Sequence, residues 1–412
     1  MDPPDSVVSD AVSELRARVQ RYPPERYPVQ NATACFHLGV ALLEAGRAAD
    51  AIAPLRSSAD LFEPRLPVEH AKALNMLGAA LRSTGAFADA AERFSHAANL
   101  FAAAERPVEA AAARYNLGLA RREAGDLRGA VESLDTALEL FEGARLPAQA
   151  AAAARELGAA LLTAGDIDAA QAVLERATDR ARAAEDSAGL AAAANVLGLA
   201  RLAADRADAA VEAFTEAVAA NPRGLRAEGH AMAKANLALA YERSGAVAAA
   251  RLAARQAAGV PGAPPVVLEQ AAGVIERLGT GADDLYVVLD SEPSDRWPVA
   301  IRAEVLRALD APESERRRTA AAWVAGQLAR PAVAGDLAEA WLGVLLELPP
   351  PAMEAMLRAT LLALTGEELE RVERFRSMTS RAMARFYLPQ WSRLAATFNR
   401  LAADVGSEQV WG

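Results

Sequence analysis

Between Val12 and Val260, apolar positions recur with two nested periods. In short windows they return every three or four residues, the spacing of one face of an α-helix. Over longer stretches the whole pattern returns about every 40. Leu-Gly pairs stand at Leu38-Gly39, Leu77-Gly78, Leu117-Gly118, Leu157-Gly158 and Leu197-Gly198, and Leu237-Ala238 continues the series. The leucine numbers step by 39 once and by 40 at every later unit. Chance does not hold register over six units. A turn residue follows each pair: Gly46, Gly85, Gly125, Gly165, Asp205 and Gly245. A small residue comes next at Ala51, Ala90, Ala130, Ala170, Ala210 and Ala250. A larger apolar one follows at Leu55, Phe94, Leu134, Leu174 and Phe214, with Ala254 in the sixth unit. Pro28, Pro67, Pro107 and Pro147 precede the first helix of four units.

Each element has a mechanical reason. Proline suits the first turn of a helix, where its missing N–H would be unpaired anyway. Glycine inside the first helix removes a side chain where a neighbouring helix crosses closely, at about 1 kcal/mol of helix propensity. The later glycine permits a positive φ at the helix end and so a tight reversal. The alanine and the large residue four further on share one face of the second helix.

This pattern resembles the tetratricopeptide repeat family, whose units read Leu-Gly-x2-Tyr, then Ala-x3-Phe, then Pro. Leu77-Gly78 with Leu81, Ala90 and Phe94 fits it, as does Leu197-Gly198 with Ala210, Phe214 and Pro222. The usual period is about 34 residues. Roughly three extra residues per helix, near one turn, account for a period near 40, as in the long-helix subtype found in kinesin light chains. The expected fold is all-α: a right-handed helical-hairpin superhelix followed by an irregular α-helical C-terminal module.

The expected organisation has four parts. Residues 1–30 form a capping helix and link, with Val8, Val12, Leu15 and Val19 on one stripe; such caps cover the first stacking surface of a solenoid. Residues 31–260 hold six repeats. Residues 261–282 are a linker or degenerate repeat after the break at Gly259–Pro265. Residues 283–412 hold all five tryptophans and show no fixed period. Helices are expected there near 294–310, 313–329, 335–348, 352–364, 366–385 and 389–404, with Thr365 opening one of them. The tryptophans read as core rather than contact face.

Apolar residues make up 52% of the 412-residue chain but aromatics only 5%. Alanine therefore carries much of the apolar content, and small side chains let stacked helices approach closely. Lys72 and Lys234 are the only lysines, which points to a GC-rich bacterial genome that inflates Ala and Arg whatever the fold; spacing therefore outweighs composition. The net charge of −10 argues against nucleic acid as a partner. Cys35 is the only cysteine, which excludes an intrachain disulfide and a cysteine-based zinc site. The start, Met1-Asp2-Pro3-Pro4-Asp5, lacks the basic and apolar run of a signal peptide. No stretch of roughly 18 uncharged apolar residues suggests a membrane span. A cytoplasmic protein is expected.

Candidate chemistry is sparse. His37, His70, His96 and His230 lack metal-ligand spacing and read as surface or groove residues. Asp283-Asp284 has no second acidic motif and reads as a helix-start cap after Gly281. Arg316-Arg317-Arg318 reads as a solvated helix face. No catalytic, cofactor-binding or metal residues are expected, and no cofactor.

The resemblance implies that the first helix of each pair lines a concave face where partners lie. The residues facing that groove are expected to be Phe36, Lys72, Asn75, Arg82, Tyr115, Leu119, Arg122, Arg155, Asn195, Leu199, Leu202 and Leu239. Lys72, Arg82, Arg122 and Arg155 would make the middle units net-positive and suited to an acidic peptide; the leucines favour an amphipathic helix. The family's carboxylate clamp needs an asparagine where Val40, Ala79 and Leu119 stand, which disfavours a chaperone tail.

The expected function is a non-catalytic adaptor or scaffold that binds a peptide or helical segment. Two alternatives stand beside it. One is a regulatory sensor whose groove takes a signalling peptide or the chain's own 366–405 region. The other is an accessory or catalytic helical protein of a biosynthetic pathway. A homodimer would form through the C-terminal module.

Overall fold

In the computed structural model, helix follows helix. The structure describes residues 5–63, 66–281, 283–406 and 410–411, with the side chains of 5–10 outside the description. The expectations for Met1–Pro4 and for the side chain of Val8 lie outside it. The first ten helices are α1 (Asp5–Arg21), α2 (Pro28–Glu44), α3 (Ala48–Phe62), α4 (Pro67–Ser83), α5 (Phe87–Ala103), α6 (Pro107–Glu123), α7 (Leu127–Gly143), α8 (Pro147–Ala164), α9 (Ile167–Ala183) and α10 (Ser187–Ala203). The chain divides after Asp205 into two units.

In the first unit the repeat chemistry does what its spacing implied. Pro28, Pro67, Pro107 and Pro147 open α2, α4, α6 and α8. Leu77, Leu117 and Leu157 hold the same place on α4, α6 and α8 and are all buried. The partnered glycines are contact points between the two helices of a unit. A Cβ on Gly39 would lie 2.4 Å from Leu55 Cγ, one on Gly118 2.5 Å from Leu134 Cγ, and one on Gly158 2.4 Å from Leu174 Cγ. These separations leave no room for a methyl group, so the helices close over glycine alone.

The turns inside each unit are left-handed where expected: Gly46, Gly85, Gly125 and Gly165 have φ of 70–86°, and Asp205, standing in for glycine, has 57°. There the chain hydrogen-bonds backwards, Arg47 N to Leu42 O at 2.8 Å and Asp126 N to Arg121 O at 2.8 Å, satisfying carbonyls that the helix end leaves free. A second left-handed series closes the turns between units, at Glu105, Arg145 and Glu185. It keeps the same period as the Leu-Gly pairs, but no glycine marks it. The capping helix α1 lays Val12, Leu15 and Val19 against a cluster that includes Leu38 and Leu42.

The second unit begins with α11 (Ala207–Ala220), α12 (Ala227–Arg243), α13 (Val247–Ala258) and α14 (Pro265–Leu278). It continues with α15 (Asp284–Ser291), a short 3-10 turn at Ser294–Arg296, α16 (Trp297–Asp310), α17 (Glu313–Leu328), α18 (Ala334–Leu346), α19 (Pro350–Leu364), α20 (Leu369–Met383) and α21 (Leu388–Asp404). Six of these match the expected helices to within a few residues, and α15 begins at the helix start expected after Gly281. Thr365 does not open α20: it ends α19, its hydroxyl donating to Leu362 O at 2.8 Å, while Glu368 stands at the start of α20.

The tryptophans build a core. Trp297, Trp323, Trp341 and Trp411 are buried, and Trp391 packs against the same cluster. Tyr286, Trp323 and Trp341 stack in series, with centroids 5.4 and 4.3 Å apart. The Tyr286 hydroxyl donates to Trp323 O at 2.5 Å. Such rings bury large areas and add stacking energy beyond area alone, which is how an irregular helical module finds one arrangement. Arg316 is not part of a solvated face. Its guanidinium donates to Ala308 O, Leu309 O and Ala311 O at 2.9–3.3 Å and caps the end of α16.

Among the described residues, no helix is long and apolar enough to cross a membrane.

Candidate functional site

Each first helix in the first unit buries one stripe and leaves a second half-buried. On α4 the half-buried stripe contains Lys72, Asn75, Met76, Ala79 and Arg82; on α6 it contains Ala112, Tyr115, Asn116, Leu119 and Arg122. On α8 it contains Ala152, Arg155, Glu156, Ala159 and Leu162, and on α10 Ala192, Asn195, Val196, Leu199 and Leu202. The spacing keeps these residues on one helical face. Every groove residue expected from the sequence in this unit, Phe36 included, is half-buried.

The stripe also contains a position absent from the expected groove set, the residue just before each Leu-Gly leucine: Met76, Asn116, Glu156 and Val196. Its signal was available, because a helix face includes i+4 beside i+3. Glu156 matters most. It accepts from Arg122 Nη1 at 2.6 Å across the α6–α8 step and from Arg155 Nη2 at 2.7 Å. Tyr115 stands beside this group, and its phenol is raised above its usual range, first by burial and then by the Glu156 charge. Asn116 Nδ2 reaches Asn75 Oδ1 at 3.4 Å and links α6 to α4.

The charge of this strip has the expected sign but is smaller than its cations alone would give. Lys72 pairs with Glu69 at 2.9 Å and Arg82 with Glu123 at 3.7 Å, while Arg122 and Arg155 share Glu156. Four cations thus face three carboxylates, an excess of one. The strip keeps the net positive sign expected but only by one charge, because acids arrive from positions outside the groove series. What remains is a half-buried set of donors and acceptors with one surplus positive charge.

Leu239 belongs to the second unit. It is half-buried on α12 and packs against a cluster completed by Ala271 and Val274 of α14. Polar bonds tie the same two helices, Gln270 Nε2 to Asn236 Oδ1 at 3.0 Å and Arg277 Nε to Glu242 Oε1 at 2.6 Å.

Two histidines are structural ties rather than surface or groove residues. His70 Nδ1 lies 2.9 Å from Ala59 O, and His230 Nδ1 lies 2.8 Å from Asn221 O. Both stand early in a first helix and bond a carbonyl near the end of the preceding one. Cys35 is buried, its thiol 3.5 Å from Asn31 Oδ1, and burial raises it above its usual range. Asp283 makes no side-chain capping bond. Asp284 is 1% exposed and is held by Arg251 and Arg255. The two aspartates do stand at the helix start expected after Gly281, Asp283 at the N-cap of α15 and Asp284 in its first turn, but without a side-chain capping bond from Asp283. Among the described residues, no group of three or more His, Cys, Asp or Glu gathers as a metal site.

These helix pairs, stacked through one Leu-Gly contact per unit, settle the architecture. The repeats are tetratricopeptide-like. No family model matches the chain, and no curated protein is similar to it. Among solved structures it is similar to BtubC from P. vanneervenii, at 20% identity over 52% of this chain and 88% of that one, with a TM-score of 0.44. PilF of Pseudomonas aeruginosa follows at 16% identity, covering 59% and 97%, with a TM-score of 0.43. A Rap protein, solved in complex with competence and sporulation factor, covers 97% and 99% at 14% identity and a TM-score of 0.43. The tetratricopeptide-like repeats rest on their own register rather than on these likenesses.

Proposed function

We propose that this chain is a protein-binding adaptor that holds an extended peptide segment on the first-helix face of α4, α6 and α8. The observation that supports it is the Tyr115–Arg122–Arg155–Glu156 group with the neighbouring Asn75–Asn116 pair. It presents donors and acceptors together on a half-buried face, as an extended backbone needs for both its N–H and C=O groups. A side-chain hydrogen bond contributes about 1 kcal/mol net, more where one partner is charged. Several along a strand, with one surplus positive charge, favour a peptide carrying at least one carboxylate. Leu119 and Leu162 flank this group and supply apolar contact for alternate side chains.

A reading in which the chain's own 366–405 region fills this face finds less support. Phe375, Leu394, Phe398 and Leu401 of α20 and α21 are buried in the core of the second unit, so the apolar stripes of those helices are already occupied.

The test is selection of a displayed random 12-residue peptide library on the full chain, followed by affinity measurement of the recovered peptides. Asn116→Ala and Arg155→Ala should each weaken binding about tenfold or more. Recovery of peptides that bind both variants as tightly as the natural chain would overturn the reading.

A further inference from the structure

A second place in the molecule has the makings of a ligand site, and it lies wholly in the unit that carries the tryptophans. A cleft of about 610 Å³ opens between the end of α14, α15, α16 and α17. That is within the range of small-molecule sites. Its apolar wall is made by Ile275, Leu285 and Ala322, with Trp323 behind.

One atom in this cleft is out of balance. Glu304 is 6% exposed. Its Oε1 accepts from Arg307 Nε at 3.0 Å and Nη2 at 2.8 Å. Its Oε2 is buried and takes no hydrogen bond from any described residue. A buried carboxylate oxygen without a donor costs about 1–3 kcal/mol, and the residue that carries it lines an open cleft. A guest with an N–H group would supply that donor.

The charges decide what kind of N–H. Arg255, Arg307 and Arg318 line the cleft against Glu304 and Glu315, an excess of one positive charge. Adding Asp284 and Arg251, which pair beside Gly281, leaves that excess unchanged, and the buried Lys234 ammonium, which feels the Glu304 charge, increases it. A cationic amine would enter against it, whereas a neutral amide joined to an anionic group would be drawn in. Arg307 is tied to Glu304, Glu315 and Thr319. Arg318 is not: its side chain is 77% exposed and its bridge to Glu315 spans 3.6 Å. It can turn toward an anion at the mouth.

We propose that this cleft binds an N-acylated apolar amino acid with a free carboxylate, the chemistry of a peptide's last residue or of a free N-acyl amino acid. The amide N–H donates to Glu304 Oε2, the side chain lies on Ile275, Leu285 and Ala322, and the carboxylate meets Arg318. The site is independent of the peptide face on α4, α6 and α8.

The test uses the full chain and isothermal titration with N-acetyl-L-leucine and with the peptide Gly-Ser-Gly-Ser-Leu. Binding of the peptide alone assigns the site to chain termini; binding of N-acetyl-L-leucine assigns it to the acylated amino acid as such. Two probes remove one group each: N-acetyl-L-leucinamide lacks the carboxylate and 4-methylpentanoate lacks the N–H. Each should bind about tenfold more weakly than N-acetyl-L-leucine, or than the peptide if that alone binds. Arg318→Ala should weaken the acid and leave the amide unchanged; Glu304→Gln should weaken the acid and leave 4-methylpentanoate unchanged. Because Glu304 also holds Arg307, the Gln variant could unfold, and then the two probes on the natural chain with Arg318→Ala carry the test. No binding of either ligand at millimolar concentration overturns the proposal, as does binding that neither variant alters.

Discussion

Arg251 and Asp284 are joined by a bridge that buries the carboxylate almost completely: Arg251 Nη2 lies 2.5 Å from Asp284 Oδ1, and Asp284 is 1% exposed. Arg255 Nη1 closes on the other oxygen at 2.7 Å. The bridge ties α13 to the start of α15 and so fastens the tryptophan-bearing helices to the array's last full hairpin. Removing the carboxylate leaves two guanidiniums together without their counter-charge, which typically costs about 3–5 kcal/mol. Asp284→Ala should therefore lower the unfolding midpoint of the second unit. Tryptophan fluorescence in urea reports it cleanly, since all five tryptophans lie at 297 or beyond. An unchanged midpoint would show that the bridge is incidental.

Gly158 and Leu174 make a reciprocal pair. Gly158→Ala should gain about 1 kcal/mol of helix propensity and lose more, about 1–3 kcal/mol, because the new methyl meets Leu174 Cγ at 2.4 Å. The net effect is destabilising. A Leu174→Ala change costs about 2–5 kcal/mol alone, but combined with Gly158→Ala it should cost less than the sum. Far-UV circular dichroism melts of the four proteins give the coupling. Strict additivity would deny the contact.

The two left-handed series respond in opposite directions. Arg145 adopts φ 58° without the freedom of glycine, so Arg145→Gly should stabilise by up to about 1 kcal/mol. Gly165, at φ 86°, should lose about 1–2 kcal/mol on change to Ala. Thermal melting of the two variants beside the natural chain checks the pair of signs.

Lys234 gives the second unit a pH dependence. Burial lowers its ammonium from 10.5 to about 8, although Glu304 pulls the other way. The folded state therefore penalises the protonated form. Below about 8 both states are protonated and the whole penalty, about 3 kcal/mol at most, is present. From there to about 10.5 the unfolded chain binds more protons, so stability rises with pH. Urea midpoints from tryptophan fluorescence between pH 7.5 and 9.5 should climb in the natural chain. They should climb less in Lys234→Met, where losing the 2.8 Å bond to Gln256 lowers stability equally at every pH. Above pH 10 the slope reverses as unfolded tyrosine ionises, because burial holds the Tyr286 phenol far above its usual range. Equal slopes in the two proteins would refute the assignment.

Much of the array was legible because every unit meets nearly the same surroundings. A position such as Leu117 answers to one neighbour on each side, and those neighbours are copies of itself, so selection for packing writes a period into the chain. Prolines, turn glycines and crossing glycines could be read for the same reason. The Glu105–Arg145–Glu185 turns were invisible because their residues carry no preference for a left-handed conformation; the flanking helices impose it. Tryptophan burial followed from composition, whereas the burial of Asp284 or Glu304 did not.

The first-helix face was half legible. Its residues and the sign of its charge followed from helical spacing, but the size of that charge did not, because Glu69, Glu123 and Glu156 reach it from outside the series chosen. An ion pair across helices depends on side-chain direction and on the offset between neighbours, and neither quantity is local.

By itself the sequence determined the helical hairpins, their register, their turns and the apolar residues that fill them, since each depends on interactions that recur at fixed spacing along the chain. The tertiary structure alone decided which charges neutralise each other, where a buried carboxylate oxygen is left without a donor, and which aromatic rings stack. Those depend on residues far apart in the chain meeting at ångström distances, and a linear pattern holds no record of such encounters.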